Sequence, residues 1–133
     1  MGRTMSNSSK VSDKMLSLEK FPVLSEKDSL KKALDEMTRL RLGTACFINE
    51  NGRLIGILTD GDLRRLLLTR QSPLPALLVT SAIEFGNHAP ASIKIHEKIE
   101  VASKLMHDRQ IWDLPIVDDE MKLVGLVHRH DLN

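Results

Sequence analysis

The sequence contains two copies of one pattern, and this internal repeat constrains the fold more than any other feature. Phe21–Arg64 and Pro90–Asn133 align without a gap at a constant spacing of 69 residues. Identical residues include Met37 and Met106, Gly56 and Gly125, and Asp62 and Asp131. A fixed internal period indicates two supersecondary units of one design. Two such units usually pack about a pseudo-twofold axis, which creates paired clefts for small ligands.

Each copy is predicted to run strand, helix, strand, strand, helix, an α/β layer arrangement. In the first copy, apolar residues recur at helical spacing from Leu30 to Leu40, with Asp28 or Ser29 as N-cap and Gly43 as the stop. An Asn-Gly pair then predicts a hairpin turn. The second copy repeats this order, and a final helix is predicted to begin at His128.

Composition excludes several classes of protein. The net charge of +1 gives no footprint for nucleic acid, and aromatic residues, at 3%, are too few for base-stacking platforms. Charged residues interrupt every apolar run, so no membrane-spanning segment is expected. The single cysteine, Cys46, excludes an internal disulfide and favours the reducing cytoplasm.

The repeat also sets the predicted domain boundaries. The polar, Ser-rich residues 1–10 are interpreted as a disordered leader or a cloning remnant. Residues 11–71 form the first predicted repeat, and residues 72–133 form the second together with the linker between the copies.

Three strings carry a family resemblance. The first copy ends in GILTDGDL at Gly56–Leu63, the second in GLVHRHDL at Gly125–Leu132, and the chain opens with VSDKM at Val11–Met15. The apolar-Gly-apolar strand followed by Thr-x-x-Asp resembles a tandem pair of CBS domains, also called a Bateman module. This resemblance implies two βαββα repeats packed about a pseudo-twofold axis, and a nucleotide or nucleotide-sugar as ligand.

A finer resemblance concerns the residues that close each copy. The string TDGDLRR after the first repeat and His-x-His-Asp-Leu after the second resemble the C-terminal regulatory part of arabinose-5-phosphate isomerases. That likeness implies a non-catalytic fragment, with an upstream sugar-isomerase domain that acts in Kdo and lipopolysaccharide biosynthesis. It also implies CMP-Kdo, CMP or an adenosine nucleotide as ligand, and a homodimer. Sugar nucleotidyltransferases with a CBS pair carry a similar first string and are an alternative host, and an oligomerisation module that binds nothing is a second alternative.

The first string supplies five predicted ligand-binding residues: Thr59, Asp60, Asp62, Arg64 and Arg65. By resemblance, Asp62 accepts hydrogen bonds from ribose hydroxyls and Thr59 lies near ribose or phosphate. A helix N-terminus also suits phosphate. Alternatively, Thr59 and Asp62 form only a capping box. Arg64 and Arg65 can bind phosphate, but neighbours on a helix point about 100° apart, so at most one is expected to face a given cleft.

The second copy supplies five more: Leu114, Pro115, His128, His130 and Asp131. The resemblance places Leu114 and Pro115 at a strand start that lines the ligand cleft, and core packing is the alternative for this strand. His128 stands where a hydroxyl residue is expected, so ordinary adenosine binding there is in question. The imidazole can instead donate to an anion or stack on a ring, or His128 can simply cap a helix.

Two other features of the second copy have competing interpretations. Trp112 can cover a ligand ring, or pack between repeats or at a dimer interface. His128 and His130 lack the additional ligands of a metal site, so no metal is predicted. No catalytic constellation is present in the sequence.

Overall fold

The computed structural model describes residues 9–132, which form two compact units. One unit comprises residues 19–90, and the other comprises residues 9–18 together with 91–132. Each has one three-stranded sheet with helices, so the predicted α/β class with two repeats is confirmed. The predicted leader falls mostly outside the described residues. Its last two residues, Ser9 and Lys10, are paired with the start of a helix in the second unit.

The first unit follows the predicted order. Its elements are β1 (Val23–Ser25), α1 (Leu30–Leu40), β2 (Thr44–Ile48), β3 (Leu54–Thr59), α2 (Asp60–Thr69) and α3 (Leu74–Leu78), followed by a 3₁₀ turn at Ala82–Phe85. The central strand β2 pairs in parallel with β1 and antiparallel with β3. Because β2 is the central strand and nearly all of it is buried, its residues read as a continuous apolar run.

The second unit repeats this sheet. Its elements are β4 (Ile93–Lys94), α4 (Ile99–Arg109), β5 (Asp113–Val117) and β6 (Leu123–His128), and a 3₁₀ turn at Arg129–Leu132 follows. Both hairpins have a register shift at equivalent places, between Phe47 and Ile48 in one and between Ile116 and Val117 in the other. The prediction of a final helix that begins at His128 was wrong. His128 is the last residue of β6, and only a short 3₁₀ turn follows it.

Helix α1 begins as predicted and ends differently. The Ser29 hydroxyl accepts a hydrogen bond from the Lys32 backbone N–H, so Ser29 is the N-cap. The helix ends at Leu40 because Arg41 adopts a left-handed conformation, with φ of 57°. The predicted stop at Gly43 was therefore two residues late. Left-handed C-caps are usually glycine, which is why the pattern pointed to the glycine rather than to an arginine.

A short segment extends each sheet. In both cases, the segment comes from the part of the chain that directly precedes the other copy. The backbone of Leu16 exchanges two hydrogen bonds with Leu126 of β6, at 2.7 and 3.1 Å. In the first unit, Ile57 of β3 exchanges two hydrogen bonds with Asn87, at 3.0 and 2.8 Å. The predicted boundaries followed the chain order and placed residues 11–18 with the first repeat, whereas the structure places them in the second unit.

A glycine occupies the same position in the last strand of each copy, and close packing of the added segment explains both. A methyl group at Gly125 would lie 3.0 Å from the Leu16 carbonyl oxygen, and one at Gly56 would lie 3.3 Å from the Asn87 carbonyl oxygen. Both distances are tighter than ordinary contacts, so a residue without a side chain lets the extra segment approach the strand.

Each unit has its own hydrophobic core. The first is centred on β2 and α1, and the second contains Val11 from the N-terminal segment beside residues of β5, β6 and α4. Cys46 is buried, in agreement with its position in an apolar run. Within residues 9–132, no helix combines the length and apolar character needed to cross a membrane.

Candidate ligand-binding junctions

The two copies place their predicted site residues at equivalent junctions, where the third strand ends. The first junction consists of Gly43, Thr44, Thr59, Asp60, Gly61 and Asp62. The second junction consists of Trp112, Asp113, His128, Arg129, His130 and Asp131. The backbone is alike in both: the Asp60 N–H donates to the Gly43 carbonyl at 3.0 Å, and the Arg129 N–H donates to the Trp112 carbonyl at 2.8 Å. The same scaffold therefore carries two different sets of side chains.

Thr59 and Asp62 form a closed hydrogen-bonded pair at the first junction. The Asp62 carboxylate accepts from the Thr59 backbone N–H at 2.9 Å and from the Thr59 hydroxyl at 3.1 Å. The Thr59 hydroxyl in turn accepts from the Asp62 backbone N–H at 3.4 Å. This is the predicted capping box, and it fixes where α2 begins. The predicted contacts of both residues with a ligand stay predictions.

Arg64 and Arg65 approach the same point, which the sequence analysis did not expect. The Arg65 guanidinium donates to the Asp62 carboxylate. A methyl group placed at Gly61 would lie 3.7 Å from Arg65 Nη1 and 3.8 Å from Arg64 Nη2. Long side chains on a helix lean toward its N-terminus, and the absence of a side chain at Gly61 leaves room for both guanidinium groups. Both predicted arginines therefore lie at the first junction.

Asp60 borders a depression of about 310 Å³ beside the first junction. The Asp60 carboxylate leans over Gly43, where any side chain would collide with it. The depression presents both apolar side chains and the charged groups of Arg41 and Asp60, and is lined by Leu34, Met37, Thr38, Arg41, Leu42, Gly43, Asp60 and Leu63. Its floor is thus formed by α1 and the first turn of α2.

At the second junction, a histidine and a carboxylate replace two threonines. Thr44 and Thr59 are register partners in the first sheet, and Asp113 and His128 are their counterparts in the second. His128 Nδ1 lies 2.9 Å from an Asp113 carboxylate oxygen. An ionised carboxylate only accepts hydrogen bonds, so Nδ1 carries a proton and Asp113 fixes the orientation of the ring. No group of three or more metal-ligating side chains occurs in the described part of the chain.

Planar side chains gather around His128. The ring centroids of Trp112 and His128 are 6.5 Å apart, and that of His130 lies 5.6 Å from Trp112 and 5.0 Å from His128. The Arg129 guanidinium lies over the indole of Trp112, at 5.0 Å from its centroid. Trp112 therefore belongs to the same cluster as the two predicted histidines.

The other predicted residues of the second copy contribute no aromatic or guanidinium group to this cluster. Leu114 and Pro115 are buried in β5, and Leu114 belongs to the second core, so core packing accounts for Leu114. Asp131 is exposed and makes no hydrogen bond of the kind that Asp62 makes. His128 also lacks the hydroxyl group through which Thr59 forms the side-chain bonds of the cap in the first copy.

Sequence reasoning missed two members of the second junction, Asp113 and Arg129. The signal was available in the repeat itself. Gly43 and Asp60 are replaced at the spacing of 69 residues by Trp112 and Arg129, and Thr44 is replaced by Asp113. A position-by-position comparison of the copies would have shown that five of the six junction positions change, all but the shared Asp62 and Asp131, while the flanking strand residues stay apolar.

The model of the CBS domain family matches residues 11–69 and 82–133. An uncharacterised protein of Helicobacter pylori is 36% identical over 124 residues, which is 92% of this chain and 36% of that protein. The arabinose 5-phosphate isomerase KdsD of Pseudomonas aeruginosa is 38% identical over 127 residues, again 92% of this chain and 36% of that protein. The chain thus spans about a third of the length of these relatives.

Solved structures share the fold at low sequence identity. The protein CBSX2 in complex with AMP superposes with a TM-score of 0.80 and 22% identity, over 93% of each chain. A CBS domain protein from Pyrobaculum aerophilum complexed with AMP gives a TM-score of 0.78 and 19% identity, over 92% of this chain and 88% of that one. At this identity, the likeness concerns the fold.

Proposed function

We infer that this chain, which belongs to the CBS domain family, is a regulatory module that binds a nucleotide or nucleotide-sugar and transmits its binding to an attached catalytic domain. The observation that carries this proposal is the Thr59–Asp62 pair, whose hydroxyl and carboxylate stand at a strand–helix junction with two guanidinium groups beside them. Carboxylates recognise sugar hydroxyls, and guanidinium groups recognise phosphate. The fold relatives solved with AMP support the same class of ligand.

The attached domain, in this proposal, is an arabinose-5-phosphate isomerase in the cytoplasm. The KdsD relatives, which are about three times as long as the matched region, and the His-x-His-Asp-Leu string support this host. That enzyme leads to Kdo, so CMP-Kdo is the logical feedback ligand. The chain itself is then a non-catalytic part of the enzyme. Regulation requires that the ligand bind one state of the whole enzyme more tightly than another.

A thermal-shift screen tests the proposal. The purified chain is heated with CMP-Kdo, CMP, AMP, ADP, ATP, S-adenosylmethionine or arabinose 5-phosphate. A ligand at 100 times its Kd stabilises a protein by about 2.7 kcal/mol, which raises the Tm by several degrees. A shift specific to cytidine compounds supports the isomerase as host, and one specific to adenosine compounds points to another host, such as a sugar nucleotidyltransferase. No shift with any compound contradicts ligand sensing.

A second candidate function is assembly, in which the module dimerises and organises the enzyme without a ligand. The second junction favours it, because the hydroxyl and carboxylate pair of the first junction is absent there and Trp112 is 54% exposed, as residues at protein interfaces often are before they associate. Light scattering separates the two: a mass of twice the 15.0 kDa chain with no ligand response supports assembly alone.

A further inference from the structure

The turn of the second hairpin has a methionine where the turn of the first hairpin has a glycine. Gly52 and Met121 are equivalent at the spacing of 69 residues, and both adopt the left-handed conformation, with φ of 81° and 67°. Glycine takes this conformation readily, whereas a side chain makes it unfavourable. The conformational preference of the turn therefore does not account for the methionine.

The side chain of Met121 is exposed and lies beside an ammonium group. Because 41% of it is exposed, burial of the thioether does not account for it either. Lys94 Nζ lies 3.6 Å from Met121 Sδ and donates to the Asp118 carbonyl oxygen at 3.3 Å, so Lys94 connects β4 with the β5–β6 turn. A thioether sulfur is a weak hydrogen-bond acceptor, and its contact with Lys94 contributes little.

The other methionines of residues 9–132 are shielded. Met37 and Met106 are 6% and 0% exposed and belong to the two hydrophobic cores, and Met15 is half-buried against the second core. Oxidation of a core methionine places a polar sulfoxide among apolar side chains, whereas Met121 can take up oxygen in water. Within the described part of the chain, Met121 is therefore the methionine most open to an oxidant.

We propose that Met121 is a reversible oxidation site, at which a peroxide converts the thioether to a sulfoxide whose oxygen accepts a hydrogen bond from Lys94. One oxygen atom moves from hydrogen peroxide to Sδ: an S–O bond forms, the O–O bond breaks, and the proton of the transferred oxygen passes to the departing hydroxide, which leaves as water. Sulfur is oxidised by two electrons and the peroxide is reduced.

Oxidation strengthens the contact between the turn and β4. The sulfoxide oxygen is a better acceptor than the thioether, and its hydrogen bond from an ammonium group is charge-assisted. The oxidised turn is thus tied to β4 through Lys94, and a methionine sulfoxide reductase releases it. This site lies at the opposite end of the β5–β6 hairpin from the second junction.

Mass spectrometry after peroxide treatment tests the site, because trypsin places each of the six methionines in a separate peptide. The purified chain is incubated with hydrogen peroxide, quenched and digested. We expect Met121 to gain one oxygen atom at least about tenfold faster than Met37 and Met106, because its sulfur is exposed. In the control, the chain is denatured before treatment, and the difference between these methionines should disappear. A methionine sulfoxide reductase should return Met121 to the thioether.

Variants assign the effect of oxidation to the contact with Lys94. Met121→Leu cannot be oxidised at this position, so its change in Tm after the same treatment reports oxidation elsewhere. Relative to this reference, oxidation should raise the Tm of the wild-type chain by about 1–3 °C. Lys94→Ala should lose this gain. Lys122→Ala is the matched control, since it removes an exposed ammonium group next to Met121 in sequence and should keep the gain.

Two outcomes overturn the proposal. Oxidation of Met121 that is no faster than oxidation of Met37 and Met106 refutes the site. A Tm of the wild-type chain that does not rise relative to Met121→Leu, or that rises equally in Lys94→Ala, refutes the hydrogen bond from Lys94. Neither measurement involves a nucleotide, so the proposed sensing function is tested separately by the thermal-shift screen.

Discussion

At the scale of single residues, the capping role of Asp62 and its proposed ligand contact are separable by substitution, with its counterpart Asp131 as the reference for stability. Asp62→Ala removes the acceptor for the Thr59 N–H and hydroxyl, and should lower the free energy of unfolding by about 1 kcal/mol. Asp131→Ala should change it by less than about 0.5 kcal/mol, because Asp131 is exposed and closes no cap. Chemical denaturation measures both.

Asp62→Ala also tests ligand binding. Under the proposed function, Asp62→Ala abolishes the thermal shift that the wild-type chain shows with its nucleotide, while the protein stays folded. A variant that lost the cap energy and kept the full thermal shift would contradict a role for Asp62 beyond capping. Asp119→Ala, at an exposed position of the second hairpin turn, controls for the removal of one negative charge.

Asp118 makes the second hairpin turn sensitive to acid. Its carboxylate accepts from the backbone N–H groups of Lys122 and Glu120, each at 2.9 Å. The hydrogen bond from Lys122 is the main reason why the pKa of Asp118 lies below its usual value. A lowered pKa means that the turn is stabilised above the usual carboxyl range, and that this stability is lost as the pH falls through the lowered pKa.

Asp118→Asn should therefore flatten the decline in stability that sets in as the pH falls below about 4, which urea unfolding at several pH values measures. An amide oxygen can replace the carboxylate, because Asn49 accepts the equivalent two N–H groups in the first hairpin, each at 3.0 Å. The reverse change, Asn49→Asp, should add acid sensitivity. Equal pH profiles for the wild type and Asp118→Asn would refute this account.

At the scale of elements, the two ends of a helix were not equally predictable. The start of α2 followed from Thr-x-x-Asp, because side-chain caps require particular residue types at fixed spacing. The end of α1 did not, because Arg41 adopts its left-handed conformation without glycine. Gln110 ends α4 in the same way, with φ of 55°. A C-cap without glycine depends on the backbone and has little signal in the sequence.

Gln110 therefore offers a stabilising substitution. A residue with a side chain costs roughly 1 kcal/mol in the left-handed region, and glycine does not. Gln110→Gly should raise the free energy of unfolding by up to about 1 kcal/mol, measured by denaturation. The control is Arg109→Gly in the last turn of α4, which should lower it, because glycine is unfavourable in a helix. A loss of stability in Gln110→Gly would contradict a purely conformational cost.

At the scale of the whole molecule, the sequence predicted the repeat and its order of elements. It did not predict which sheet the short segment before each copy would join. The string VSDKM at 11–15 precedes the first copy, and a local pattern cannot indicate which sheet edge a short segment will join. The choice is made by long-range pairing, such as that of Leu16 with Leu126 across most of the chain. In the same way, comparing the copies marks Arg129 as changed, but only the structure shows that it contacts Trp112, which is distant in sequence.

This exchange of segments predicts where a change near the N-terminus is felt. Val11 is fully buried in the second core, and its N–H donates to the Glu97 carbonyl at 3.0 Å. Val11→Ala leaves a cavity there and should cost about 1–3 kcal/mol. Hydrogen exchange should then rise most in β5 and β6, although the substitution lies directly before the first copy in the sequence.

Leu18→Ala is the control, because Leu18 is 43% exposed and its loss should change stability by less than about 0.5 kcal/mol. Exchange that rose most in β2 and β3 after Val11→Ala would contradict the exchanged arrangement. The expected pattern would mean that the segment before the first copy stabilises β6, whose last residue, His128, belongs to the second junction.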